Sequence, residues 1–129
     1  MRIAADLLGE MIAHARREAP NECCGLVAVR DGEAISVHPT ENMAASPFRF
    51  EIDGLVMLGL LDELEDAEAV PGLIYHSHTR SEPYPSQTDI NFAQGWPGWH
   101  WLIVGVAGEE ADVRCFEIED GEVREVSIA

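Results

Sequence analysis

The sequence predicts one mixed α/β domain over residues 1–129, an α+β arrangement with a largely antiparallel mixed sheet flanked by helices. Three observations predict it. Helical and strand-like segments follow one another as α-β-β-β-α-β-α-β-β-β, with no internal repeat, linker or low-complexity tract. Two Asp-Gly dipeptides, Asp31-Gly32 and Asp120-Gly121, lie between apolar runs, and each is a hairpin signal. The run WHWLIVGV hardly alternates, as befits a central strand covered on both faces.

Each element has its own justification. In AADLLGEMIAHARREAP, Leu8, Ile12 and Ala15 share one helical face with Leu7 and Met11 beside them, and Pro20 ends the helix. CGLVAVR and EAISV are strands around Asp31-Gly32, and PFRFEI is a short alternating strand. Asp53 is placed to cap GLVMLGLLDELEDAEA, a helix with Val56, Leu60 and Leu64 in one stripe and a solvated acidic outer face. Pro71-Gly72 breaks that helix, and GLIYH follows as a short buried strand. SQTDINFAQ is a brief helix starting at Ser86, GWPG a loop, and VRCFEIE-DG-EVREVSI the second hairpin.

Composition narrows the function. The chain carries 8 basic residues, all Arg, against 24 acidic ones, for a net charge of −16. Such a surface repels phosphate backbones and anionic lipid, which argues against nucleic-acid or membrane-surface binding. Without Lys there is no Schiff-base chemistry. No apolar run approaches the roughly 18–20 residues of a membrane-spanning helix, and the N-terminus lacks a signal-peptide pattern, so a cytoplasmic protein is expected. Three cysteines, Cys23, Cys24 and Cys115, form no C-x-x-C, which speaks against a zinc ribbon or a disulfide framework and for a reducing compartment.

Chemistry concentrates in LIYHSHTRSEPYPSQTD, Leu73 to Asp89. His76 and His78, two apart on a strand, point to the same side at its open end. Alone, such a pair reads as two surface histidines. Ser86 and Asp89 form an S-x-x-D capping box before an apolar run. A cap does not compete with a ligand role, because the helix N-terminus keeps Asp89 ionised. Two His and one Asp leave a fourth tetrahedral position open, the arrangement of a catalytic zinc, and N/O ligands without Cys suit Zn²⁺. Such a site needs a general base to activate water, and Glu22, at the junction of the first helix and first strand, is the candidate, although alone it reads as a routine surface Glu.

Glu22, then His76-Ser77-His78, seven residues, Ser86, two residues and Asp89 resemble the complete motif of the JAMM (MPN+) metalloproteases, E…H-[S/T]-H-x7-S-x2-D. The resemblance covers most of the chain, including HARREAPNECCGLV, ENMAASPFRFEID and WLIVGV. It implies the cytidine-deaminase-like MPN fold, with Zn²⁺ on His76, His78 and Asp89. It further implies Glu22 as general base and proton shuttle, and Ser86 as a stabiliser of the oxyanion. The implied reaction is hydrolysis of an amide at the tail of a ubiquitin-like protein, without a covalent intermediate. The second insertion with which eukaryotic deubiquitinases grip ubiquitin is nearly absent. HARREAP-ECCG and IYHSHT-SE-YPSQTD look most like bacterial JAMM enzymes that release cysteine from the C-terminus of a small sulfur-carrier protein ending in Gly-Gly. A general bacterial isopeptidase, a small-molecule hydrolase and a non-catalytic MPN scaffold are the alternatives.

Other residues carry weaker expectations. Ser77 should face away from the two histidines in a structural role. Cys23 and Cys24 are expected to pack in the core, His14 to lie on an exposed helix face, and His38 to be solvated. Asn42, in a loop where the family often has a cleft Asn, and His100, between Trp99 and Trp101, are the candidates for substrate contact. Trp96, Trp99 and Trp101 are expected either to close the core or to offer an apolar edge to a partner or to a second copy in a homodimer.

Overall fold

In the computed structural model, which describes residues 1–129, nine elements fold around one six-stranded sheet. They are α1 (Ala5–Glu18), β1 (Cys24–Arg30), β2 (Glu33–Thr40), α2 (Gly54–Asp66), β3 (Leu73–His78), α3 (Gln87–Ala93), β4 (His100–Gly105), β5 (Asp112–Glu119) and β6 (Glu122–Val126). The strand order is β2-β1-β3-β4-β5-β6. Only β3 and β4 run parallel. These two take the centre, which explains their unbroken apolar sequences.

Both Asp-Gly dipeptides make the tight turns that they signal. Asp31 and Gly32 have φ of 51° and 75°, Asp120 and Gly121 of 52° and 79°, and two successive positive φ values define the hairpin turn that matches strand twist. The turns join β1 to β2 and β5 to β6.

Two apolar layers sandwich the sheet. On one face Met11 and Ala15 of α1 pack with Cys23, Val27, Leu73, Tyr75, Leu102, Val104 and Cys115. On the other, Met57 and Leu64 of α2 and Ala93 of α3 pack with Leu26, Ile74, Trp101, Ile103 and Phe116. Neighbours along a strand face opposite ways, so Tyr75 and His76 divide between these layers. His76 and His78 therefore belong to the α2/α3 side. Trp96, Trp99 and Trp101 close the core of that layer, with Trp99 and Trp101 buried. No helix is long and apolar enough to cross a membrane.

Three expectations need correction. PFRFEI is not a strand. Phe50 and Ile52 do turn inward against the core, but the backbone of Arg49 and Glu51 bonds to the Asn42 side chain in place of a neighbouring strand. The inward stripe of α2 is Met57, Leu60, Leu61 and Leu64, and Val56 is exposed; Asp53 caps the helix as expected, accepting from the Leu55 and Val56 N–H groups. His14 is buried against Tyr75, whose hydroxyl lies 2.8 Å from its Nδ1.

Candidate metal-dependent active site

The end of β3 brings the site together. His76 and His78 project from the same face, and both are buried. Their Nε2 atoms are 3.2 Å apart, and Asp89 Oδ2 lies 3.1 Å from the first and 3.2 Å from the second. Asp89 reaches them from the first turn of α3. The capping box there is complete: the Asp89 N–H donates to Ser86 Oγ at 3.2 Å, and the Ser86 N–H donates to Asp89 Oδ2 at 3.0 Å.

Three potential ligand atoms thus converge on one point. The carbonyl of Glu82 can only accept, so His78 Nδ1, 2.7 Å from it, donates there and Nε2 is the ring nitrogen turned toward the cluster. A tetrahedral ion with bonds of about 2.0–2.1 Å separates its ligand atoms by about 3.3 Å. The observed edges of 3.1–3.2 Å match that spacing, so the residues present fit a divalent metal. The donor set, two imidazoles and one carboxylate, is one that such an ion accepts.

The electrostatics agree. Burial alone would raise the Asp89 carboxyl, but His76, His78 and the Ser86 N–H overcome it and hold the group well below the usual carboxylate range. For His78, burial opposes the charge, while the bonds to Asp89 and to the Glu82 carbonyl outweigh it and raise the group.

Glu22 lies two residues before β1. The antiparallel pairing sets Cys24 opposite His76. One residue on, the Ser77 N–H donates to the Cys23 carbonyl at 3.2 Å and the Cys23 N–H to Ser77 Oγ at 2.8 Å. Continuing that register sets Glu22 opposite His78, and residues opposed across an antiparallel pair share a face. Thr79 Oγ1 secures the approach by donating to the Pro20 carbonyl at 2.8 Å. Glu22 is only 4 % exposed, and its Oε1 has no partner in the protein. Burial pushes its carboxyl up to about 8; Asp89 adds to the shift and His78 opposes it. A cleft of about 360 Å³, bordered by Glu18, Asn21, Thr40 and Glu41, opens beside it.

Ser86 stands exposed at the rim. Its oxygen accepts in the cap, which leaves its own O–H to donate. One hydroxyl can therefore serve the cap and a reacting oxygen together.

The remaining candidates lie elsewhere or act otherwise. His100 pairs with Leu73 at the far end of β3, roughly 16 Å from His78 at about 3.3 Å per residue. It meets Glu117 Oε1 at 3.2 Å and does not line the site, because parallel pairing sets the start of β4 beside the start of β3, at the opposite end of the strand from His78. Asn42 lies beside Glu22, but its side chain is bonded to backbone on every side. Ser77 faces away from the histidines, as its position between them requires. The three thiols are buried, Cys23 pushed up to about 12 and Cys24 and Cys115 to about 11 by burial, so none is a nucleophile. Sequence reasoning missed Phe50, whose ring stacks on His76 at 4.6 Å and 25°. Its only signal was the alternation in PFRFEI. The Glu82 carbonyl left no signal, since any residue supplies one.

Known proteins resemble this chain in sequence and in fold. Residues 4–119 match the family described as prokaryotic homologs of the JAB domain. The chain is 40% identical over 126 residues to the CysO-cysteine peptidase of Mycobacterium tuberculosis (strain H37Rv), covering 95% of this chain and 86% of that protein. It is 36% identical over 137 residues to the desampylase of Haloferax volcanii, covering 100% of this chain and 95% of the relative. A solution structure of a protein from Desulfitobacterium hafniense superposes with a TM-score of 0.85 at 28% identity, covering 99% of this chain and 90% of that one. The fold is shared with a JAB1/MPN domain protein from Archaeoglobus fulgidus, with a TM-score of 0.64 at 19% identity over 99% of this chain and 98% of the other.

Proposed function

This chain belongs to the JAMM/MPN+ family, among the prokaryotic homologs of the JAB domain, and we propose that it is a zinc-dependent peptidase that cleaves an amide at the C-terminal tail of a small sulfur-carrier or ubiquitin-like protein, releasing cysteine. That it is a hydrolytic enzyme of the JAMM type follows from its relatives. The observation that carries the mechanism is the convergence of His76, His78 and Asp89 within hydrogen-bond distance of one another, with the carboxyl of Glu22 buried and unpartnered on the segment leading into β1.

His76, His78 and Asp89 would hold the metal. When bound, Zn²⁺ supplies Lewis acidity toward the scissile carbonyl and makes water a stronger acid. Glu22 takes a proton from the attacking water and passes it to the leaving nitrogen as the C–N bond breaks. Its burial and its unpartnered Oε1 suit a group that must hold and then release a proton. Ser86 donates its O–H to the oxygen that gains charge on the tetrahedral carbon.

The likeness to the CysO-cysteine peptidase, at higher identity than to the desampylase, supports cysteine as leaving group. The second reading, a general isopeptidase for ubiquitin-like modifiers, is supported by the desampylase likeness over the full chain. Three free, buried cysteines support a cytoplasmic setting. The test is incubation of the zinc-loaded protein with Gly-Gly-terminated small proteins of the same genome, as cysteine adducts and as isopeptide conjugates, read by mass spectrometry. Loss of cysteine alone supports the first reading, cleavage of conjugates alone the second. Inertness toward both refutes each.

A further inference from the structure

The connection between β2 and α2, residues 41–53, has no regular secondary structure. It nevertheless touches Glu22, His76 and the helix that carries Asp89. The Ser46 carbonyl accepts the Glu22 N–H at 2.9 Å. Phe50 stacks on His76 and meets Phe92 of α3, the helix that carries Asp89, edge to face at 5.4 Å. Such a segment has to be held by something other than a ladder.

Asn42 holds it. Its Nδ2 donates to the Glu22 carbonyl at 2.9 Å and to the Arg49 carbonyl at 3.1 Å. Its Oδ1 accepts from the Ala44 and Glu51 N–H groups, both at 3.0 Å. An amide side chain has two donors and two acceptor sites, and here all four are used. The Met43 N–H adds a bond to the Glu51 carbonyl at 2.8 Å. Three of the four side-chain bonds close the loop on itself. The fourth leaves the loop and ends on the base. A simple loop staple needs only the first three.

We propose that Asn42 is a positioning residue, which ties the main chain of Glu22 to the loop bearing Phe50 and so keeps the base in register with the metal ligands. With Ser46 it grips both backbone polar groups of Glu22, the N–H and the carbonyl. The Glu22 carboxylate, with no side-chain bond at Oε1, depends on that grip for its place. The inference rests on the peptidase reading of Glu22.

The experiment compares wild type, Asn42→Ala and Asn42→Asp. The second variant keeps an acceptor for Ala44 and Glu51 but has no donor for Glu22. Steady-state hydrolysis of a Gly-Gly carrier protein bearing a C-terminal cysteine, metal content, and amide hydrogen exchange at Glu22 are measured on each. A misplacement of about 1 Å costs on the order of 10²-fold. Both variants should therefore lose roughly 10–100-fold in kcat, with KM little changed, metal stoichiometry kept, and faster exchange at Glu22. A kcat within twofold of wild type in both variants overturns the proposal, and so does loss of the metal in step with activity. If wild type itself cleaves nothing, the peptidase reading fails by that result. The exchange rate at Glu22 then decides for Asn42 separately: faster exchange supports the tie, and unchanged exchange overturns it.

Discussion

Replacing Ser77 with alanine removes one oxygen from a place that no other group can fill. Ser77 and Cys23 are 0 % and 1 % exposed, and the Cys23 N–H donates to Ser77 Oγ at 2.8 Å. Without the hydroxyl that N–H is buried and unpaired, which costs about 1–3 kcal/mol. The reciprocal bond, Ser77 N–H to the Cys23 carbonyl, is unaffected. Against a total stability of about 5–15 kcal/mol the loss is readily measured, and for a chain of this size it lowers Tm by roughly 3–5 °C per kcal/mol. The assay is urea unfolding of both proteins in a chelator, because bound metal would add its own stabilisation. The midpoint should fall at unchanged slope. The damage is local: the formal β1–β3 pairing ends at Cys24 and His76, so the hydroxyl extends it toward Glu22. Metal stoichiometry should therefore persist while hydrolysis declines. A stability loss below about 0.5 kcal/mol would refute the reasoning, since a truly orphaned N–H cannot cost so little.

Other outcomes follow from the same packing. A Cβ at Gly25 would stand 2.5 Å from Tyr75 Cε1 and 2.6 Å from the His38 carbonyl oxygen, so Gly25→Ala should destabilise by about 1–3 kcal/mol or more in the same urea assay. With pKa values near 11 to 12, the three buried thiols stay protonated at pH 8, and iodoacetamide should label none in the native protein and three after unfolding. Chelator-stripped protein should gain about 2.7 kcal/mol at a zinc concentration one hundred times Kd, read as a rise in Tm, and His78→Ala should show no such rise.

What the sequence made legible was short-range. Asp-Gly turns depend on two residues, the His76/His78 alignment on strand periodicity, and the Ser86–Asp89 box on the first turn of one helix. Each is settled within a few positions. Glu22 was different: only resemblance linked it to the histidines, because the link is a strand register between segments more than fifty residues apart. The same limit hid the role of PFRFEI. No local pattern reveals that Phe50 and Ile52 turn inward while Phe48 stays exposed, or that Asn42 stands in for the neighbouring strand. His14 looked solvated for the same reason, since its partner Tyr75 lies 61 positions away. His100 seemed close to the motif helix along the chain, but the parallel register of β3 and β4 carried it to the other end of the sheet.

The central claim is that Glu22 and the His76–His78–Asp89 cluster form one hydrolytic site. Glu22→Gln tests it most directly, because the substitution keeps the shape of the side chain and removes only its proton-accepting charge. Turnover of the cysteine-bearing carrier by the zinc-loaded variant, with zinc per chain measured on the same sample, should fall by about 10²–10⁴-fold while the metal stays bound. Turnover at the wild-type rate, or loss of the zinc together with the activity, would contradict the account.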